Sequence, residues 1–343
     1  MKAVVKTKAG DGFVELMDVP IPVPKANEVK IKVEAAGVCG TDIKVMRGKN
    51  FSNPPVILGH ELSGTIVETG ADVENFKVGD RVVSETAQVI CGQCEYCKTG
   101  NYIMCKKRLS IGYGVDGAMA EFIVVREGLL HKIPDDMSFE DASMCEPTAV
   151  AVHTVFTNKA IMPYETVVVM GPGPIGLLVA QAVKSTGATT VLIGTAKDED
   201  RLAVADMLGM DKAINTDTEA AQDKVLEMTG GKGADLIIDC TGAPPAINAA
   251  IDMVKNQGFI IQVGLTPPSF EVDYQKLPLR SIGILGTYGH GWKDWELAIK
   301  MIASGKINVK PLITHHFPLT DWEKAFAMSE NGEGIKIILH PND

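Results

Sequence analysis

Four cysteines fall within fifteen residues as Cys91-x2-Cys94-x2-Cys97-x7-Cys105, on a stretch rich in Gly, Lys and Asn. Four thiolates at this spacing can close a tetrahedral shell around Zn²⁺ and leave no open position, which makes a structural site. Close cysteine triplets also serve iron–sulfur clusters, the rival metal chemistry. Four unrelated cysteines would be the plain alternative, and the spacing opposes it. A zinc lobe is therefore expected over about residues 88–108. Cys39, Cys145 and Cys240 stand apart, and an odd count of seven fits reduced thiols better than a disulfide framework.

A second set is dispersed. Cys39 lies in GVCGTD after an apolar strand, Gly59-His60-Glu61 follows a Pro-rich connection, and Glu146 lies in CEPTAV. Singly, a Cys or His is more often a packed residue than a ligand. Together they offer one thiolate, one imidazole and carboxylates, the mixture of a catalytic zinc site that keeps an exchangeable water. Zinc there would lower the pKa of a bound alcohol so that the alkoxide releases hydride, or polarise the carbonyl that receives it.

The third motif is Gly171-x-Gly173-x-x-Gly176, between the apolar run TVVVM (166–170) and a helical stretch. Glycines allow a tight turn and close backbone approach, so that a pyrophosphate meets the helix N-terminus. The bare motif is weak and a Gly-rich turn is its rival; the strand–helix context makes dinucleotide binding the reading.

These residues need two scaffolds. The first ~130 residues hold short alternating runs, VKIKVEAAG (29–37), GTIVETG (64–70) and VGDRVVS (78–84), which read as half-buried antiparallel strands. From Thr166, continuous apolar runs alternate with helical stretches: TVVVM, TTVLIG (189–194), ADLIIDC (234–240) and GFIIQVG (258–264). That pattern gives a parallel sheet covered on both faces, hence a doubly wound α/β domain. Two helices near 292–304 and 320–330 and a last strand, IKIILH (335–340), are expected to return to the first domain. The division is thus 1–148 with 286–343, and 149–285.

With 343 residues, 45% hydrophobic and 22% charged, the composition is that of a globular protein with more than one core. A net charge of −10 argues against nucleic acid or an anionic membrane as the main partner. MKAVVKTKAG lacks the apolar core of a signal peptide, and no run reaches the roughly 18 apolar residues of a membrane span. A cytoplasmic protein is expected.

Taken together, CGTD (39–42), GHE (59–61), the four-cysteine lobe, GPGPIG (171–176) and INVKPLITHHFPL (307–319) resemble the zinc-containing medium-chain dehydrogenases, and among them the sorbitol (polyol) dehydrogenase branch. The resemblance covers essentially the whole chain. It implies a GroES-like β-rich catalytic domain, a Rossmann domain, two zinc ions per chain and a homotetramer or homodimer. It implies that Cys39 and His60 bind catalytic zinc, with Glu61 as third ligand and Glu146 beside the metal, directly or through water. Thr41 matches the hydroxyl that passes the substrate proton toward solvent; a turn residue is its plainer reading. Pro174 and Ile175 in the loop, and Val263, Gly264, Leu265, Thr287 and Tyr288 after later strands, are candidate cofactor contacts.

The chain departs from the branch at two places. An Arg-Tyr pair near the substrate in sorbitol dehydrogenases is here Gly289-His290, and the relay histidine and its neighbouring tyrosine are Lys44 and Val45. A polyol or sugar alcohol, or its ketose, is the expected substrate. Threonine or a simple secondary alcohol on the same scaffold is the alternative. A non-catalytic dinucleotide sensor or a zinc-free reductase is more distant, since neither needs Cys39, His60, Glu61 and Glu146.

The cofactor choice rests on spacing. NAD enzymes of this fold carry an acidic residue about 20 positions past the glycine motif, bonded to the ribose 2′-OH. Counting from Gly176 reaches Ala196, with Lys197 and Arg201 following. NADP(H) is therefore expected over NAD(H), both cations facing the 2′-phosphate; in the alternative, Asp198 turns to the ribose and NAD is used.

Overall fold

The computed structural model describes residues Met1–Asp343, which form two compact units. One comprises Met1–Glu146, His290–Ala303 and Val309–Asp343; the other comprises Pro147–Gly289 and Ser304–Asn308. The units thus change over at Glu146/Pro147, not after 148, and the chain returns at His290, not 286. Residues 304–308 were assigned to the first domain from sequence but belong to the second. Asn308 is the reason: its N–H donates to Gln181 Oε1 (2.7 Å), and its carbonyl accepts from Gln181 Nε2 (3.3 Å).

In the first unit a seven-stranded sheet is built on Glu28–Gly37, whose side chains alternate between buried and half-buried. Its inward set, Val29, Ile31 and Val33, packs with Leu62, Ile66 and Ile123. Glu61–Thr69 and Phe122–Arg126 pair antiparallel with it, and Arg81–Ser84 and Leu130–Lys132 extend the sheet. Beside Gly37 and Ala36 runs the last strand, Lys336–His340, itself paired in parallel with Ile313–Pro318. A smaller sheet of Val14–Asp18, Lys2–Lys6 and Val56–Ile57 completes this β-rich unit.

In the second unit six parallel strands run in the order Lys212–Asn215, Thr189–Gly194, Thr166–Met170, Ala234–Asp239, Val254–Gln262, Gly283–Gly286. The four central strands are the apolar runs read from sequence. The two edges escaped because they are short and half-exposed, so no continuous apolar run marks them. Strand order reverses beside Thr166–Met170, the switch point where open α/β sheets bind ligands. No helix is long and apolar enough to cross a membrane.

Candidate active site and metal centres

The strand Glu28–Gly37 delivers Cys39 as the N-cap of the helix Gly40–Met46, so Thr41 stands half-buried in the first helical turn rather than in a free loop. His60 and Glu61 lie where the strand Glu61–Thr69 begins, opposite the end of that same strand, and Gly37 is the cross-strand partner of Glu61. One ligand atom each from Cys39, His60 and Glu61 lies within 4.8 Å of the others. His60 is 5% exposed and Glu61 1%. Gly37 makes the room: a Cβ there would sit 2.1 Å from Glu61 Oε2.

Two partners of this group were not read from sequence. Asp42 accepts the Cys39 N–H at 2.9 Å and the Gly59 N–H at 3.3 Å, tying the two segments together. Its Oδ1 lies 3.4 Å from His60 Nδ1 without hydrogen-bond geometry, and that nitrogen is buried without a partner. Lys336, buried in the last strand, donates to both Glu61 oxygens (2.7 and 2.6 Å) and to the Val38 carbonyl (3.2 Å).

The electrostatics are those of a site crowded with charge. Burial would lower the His60 imidazole, yet Asp42 and then Cys39 hold it well above its ordinary value. Burial raises the Glu61 carboxyl against the pull of Lys336. Lys336, which burial alone would lower, is held up by Glu61 and then Cys39. A thiol, an imidazole with an unpartnered buried nitrogen and a carboxylate suit a zinc ion with an open position, its positive charge taking the place of the bound proton.

Glu146 is not one of this close group. It is the second residue of the helix Cys145–Phe156, and its Oε1 lies 3.2 Å from His290 Nε2. Burial would raise its carboxyl, but the hydrogen bond from His290 and the charges of His60 and Lys336 bring it below the ordinary range. Lys44 is exposed on the helix Gly40–Met46 and Val45 is buried.

The four-cysteine lobe folds around the short helix Glu95–Lys98, with Cys94 as its N-cap, and a turn of 3₁₀ helix at Tyr102–Met104. All four sulfurs lie within 4.8 Å of one another, Cys91 to Cys97 at 3.9 Å and Cys94 to Cys97 at 3.5 Å. Zn–S bonds of about 2.3 Å in a tetrahedron put sulfurs roughly 3.8 Å apart. That spacing suits a single ion and is too tight for a multi-iron cluster. Backbone N–H groups of Gln93 and Cys94 hold the Cys91 thiol down to about 6, whereas burial and the neighbouring thiols push Cys97 up to about 12. One thiolate resists the next unless a cation sits among them.

In the second unit the glycine loop has the shape its sequence implies. Gly171 has φ +93°, and a Cβ on Gly176 would lie 1.8 Å from the Gly171 carbonyl oxygen. Gly173 caps the helix Pro174–Lys184 with no side-chain bond, Pro174 opens it, and Ile175 follows. A Cβ on Gly173 would meet nothing within 4 Å, so the bare helix N-terminus is open to a phosphate. Val263 and Gly264 follow the strand Val254–Gln262 and donate their N–H groups to the Asp239 carbonyl, both at 2.9 Å. Leu265 and Tyr288 are exposed, and the Thr287 hydroxyl accepts from Asn158 Nδ2 at 3.1 Å. Missed in sequence was the Asp239 carboxylate, which accepts from Thr241, Gly242 and Gln262 Nε2 and knits these strand ends together.

Ala196 begins a 3₁₀ turn, Ala196–Asp198, just past the strand Thr189–Gly194. Asp198 turns back on this turn, accepting the Thr195 N–H at 3.0 Å and hydroxyl at 2.9 Å, and pairs with Arg201 at 3.5 Å. Lys197 is exposed. A carboxylate does reach Ala196 from the turn after the neighbouring strand Lys212–Asn215: Asp217 Oδ2 accepts its N–H at 2.7 Å. Counting along one strand could not find it.

Comparison with known proteins agrees with this picture. The family described as alcohol dehydrogenase GroES-like domain matches residues 25–135, and that described as zinc-binding dehydrogenase matches 174–304. A sorbitol dehydrogenase of Halalkalibacterium halodurans is 41% identical over 344 residues, covering all of both chains. A D-arabitol-phosphate dehydrogenase of Enterococcus avium is 40% identical over 345 residues, covering 100% of this chain and 98% of that one. Among solved structures, a zinc-binding dehydrogenase of Sinorhizobium meliloti bound to NADP superposes with a TM-score of 0.92 at 26% identity, covering 99% of each chain. The chain belongs to the zinc-binding alcohol dehydrogenase family, with a GroES-like domain and a Rossmann-type domain. It is an oxidoreductase that works with zinc and a nicotinamide dinucleotide.

Proposed function

We propose that the chain oxidises a polyol or sugar alcohol, or reduces the matching ketose, at a zinc held by Cys39, His60 and Glu61. The convergence of those three residues within 4.8 Å, with His60 and Glu61 buried and Cys39 half-buried, carries the reading. When bound, the zinc supplies Lewis acidity that lowers the pKa of an alcohol at its open position. Around it, Asp42 fixes the Cys39 and His60 segments, and Lys336 neutralises Glu61. Glu146 stands beside the metal, and the Thr41 hydroxyl takes the substrate proton toward solvent. Cys91, Cys94, Cys97 and Cys105 hold a second, structural zinc.

The glycine loop takes the pyrophosphate, with Pro174, Ile175, Val263, Gly264, Leu265, Thr287 and Tyr288 lining the rest of the dinucleotide. NADP(H) is the preferred form. Ala196 carries no carboxylate of its own, and Asp198 is occupied in capping its turn. Lys197 and Arg201 stand beside the position of a 2′-phosphate, each contact worth about 1.5–3 kcal/mol at most. A homodimer or homotetramer in the cytoplasm completes the reading. The edge strand Gly283–Gly286, with Ile284 and nearby Leu279 and Tyr274 exposed, is the kind of edge a second copy covers.

The test measures kcat/KM on polyols, ketoses, threonine, hexanol and benzyl alcohol with NADP(H) and NAD(H), for wild type and Ala196→Asp. Polyols or their ketoses should lead with NADP(H), and Ala196→Asp should turn the preference toward NAD(H) by about tenfold or more, as the new carboxylate repels the 2′-phosphate. Wild type favouring NAD(H), with little response to the substitution, would sink the cofactor assignment. A preference for hexanol or benzyl alcohol over every polyol would sink the substrate class.

A further inference from the structure

His290 is 2% exposed and both of its ring nitrogens are engaged. Trp295 Nε1 donates to Nδ1 at 2.8 Å, and Nε2 lies 3.2 Å from Glu146 Oε1. An indole N–H can only donate, so Nδ1 must be a bare acceptor, and the ring proton resides on Nε2, facing the carboxylate. The other neutral tautomer would lose the indole bond and set a nitrogen lone pair against Glu146.

The indole is itself held. Trp295 is fully buried in the helix Trp292–Ala303 and stacks on His131, centroids 5.6 Å apart and planes within 5°. His131 Nδ1 lies 2.7 Å from Glu296 Oε1 and its Nε2 3.3 Å from Glu85 Oε1. Glu85 also accepts the hydroxyl of Tyr102, which stands in the four-cysteine lobe between Cys97 and Cys105. A continuous chain of contacts thus runs from that lobe through Trp295 and His290 to Glu146.

We propose that Trp295 is a positioning residue for the reaction: its indole N–H fixes His290 as the Nε2–H tautomer and thereby holds the Glu146 carboxylate in one place. The inference rests on the place beside the zinc proposed for Glu146. It accounts for Gly289 and a buried His290 standing where sorbitol dehydrogenases carry an Arg-Tyr pair, since His290 here serves the protein and has no ring nitrogen left over for substrate.

The test is a double-mutant cycle with Trp295→Phe, which keeps a ring on His131 but removes the N–H, and His290→Gln, whose amide donates without a tautomer to choose. Trp295→Phe should lower kcat by about tenfold, the loss of roughly one hydrogen bond's worth of positioning, with KM for the cofactor and zinc content unchanged. In the His290→Gln background the same change should cost less than about twofold. The ¹⁵N signals of His290 should read one bare and one protonated nitrogen in wild type, and move toward averaging in Trp295→Phe. Additive losses in the cycle, or ¹⁵N signals unmoved by Trp295→Phe, would overturn the proposal. If wild type turned over no alcohol, the function would fail instead, and the ¹⁵N signals would still decide how His290 is held.

Discussion

His60→Ala is expected to lower kcat/KM for the preferred alcohol by at least about a thousandfold. Lewis-acid stabilisation of the developing alkoxide is worth several kcal/mol, and each 1.36 kcal/mol is a factor of ten. Cys39 and Glu61 would remain, but two ligands hold zinc poorly. The damage should be confined to chemistry. The glycine loop proposed to hold the dinucleotide, Gly171–Gly176, belongs to the other unit, so the dissociation constant for NADP(H) should stay within about twofold of wild type. Removing the imidazole also leaves Asp42 on its two backbone donors, so circular dichroism and melting temperature should change little. Steady-state kinetics with cofactor titration check this directly, and near-native turnover would refute the role assigned to His60.

Cys94→Ser should act on stability instead. The lobe has little apolar core: the short helix Glu95–Lys98 buries no residue, and its four thiols are each other's main company. Metal binding there is folding free energy. Loss of one thiolate is expected to cost about 3 kcal/mol or more, lowering the melting temperature by on the order of 10 °C. A strong chelator should lower wild type to the same point and leave Cys94→Ser almost unmoved. Equal melting curves for wild type and variant, with and without chelator, would show that the lobe does not depend on metal.

How much of this was legible in the sequence follows from the range of each signal. The four cysteines, Gly171-x-Gly173-x-x-Gly176 and the Val-rich central strands are local patterns, and the chain spells them out. Cys39, His60 and Glu61 were legible as residue types, but their convergence depends on Gly37 pairing with Glu61 across two strands. Lys336 stood only inside the expected last strand IKIILH; its antiparallel neighbour, the strand Glu28–Gly37, brings it to Glu61, 275 residues away. A lysine flanked by isoleucines is a faint warning of such a buried partner. His290 and Glu146 are separated by 144 residues, and no pattern in either segment names the other. Asp217 lay outside the count from Gly176 because it arrives from the turn after the adjacent strand Lys212–Asn215. Helix Gly40–Met46 was hidden because its N-cap is a cysteine, not one of the Ser, Thr, Asp or Asn residues that usually announce a helix start.

The most direct test of the account counts zinc per chain in wild type and in His60→Ala, purified without added metal and measured by elemental mass spectrometry beside native mass. Two separate sites, one around Cys39, His60 and Glu61 and one around the four cysteines, should give close to two zinc ions per chain in wild type. His60→Ala should give close to one, with the structural ion retained. A wild-type count near one, or two ions still present in His60→Ala, would contradict the assignment of a catalytic zinc to that site.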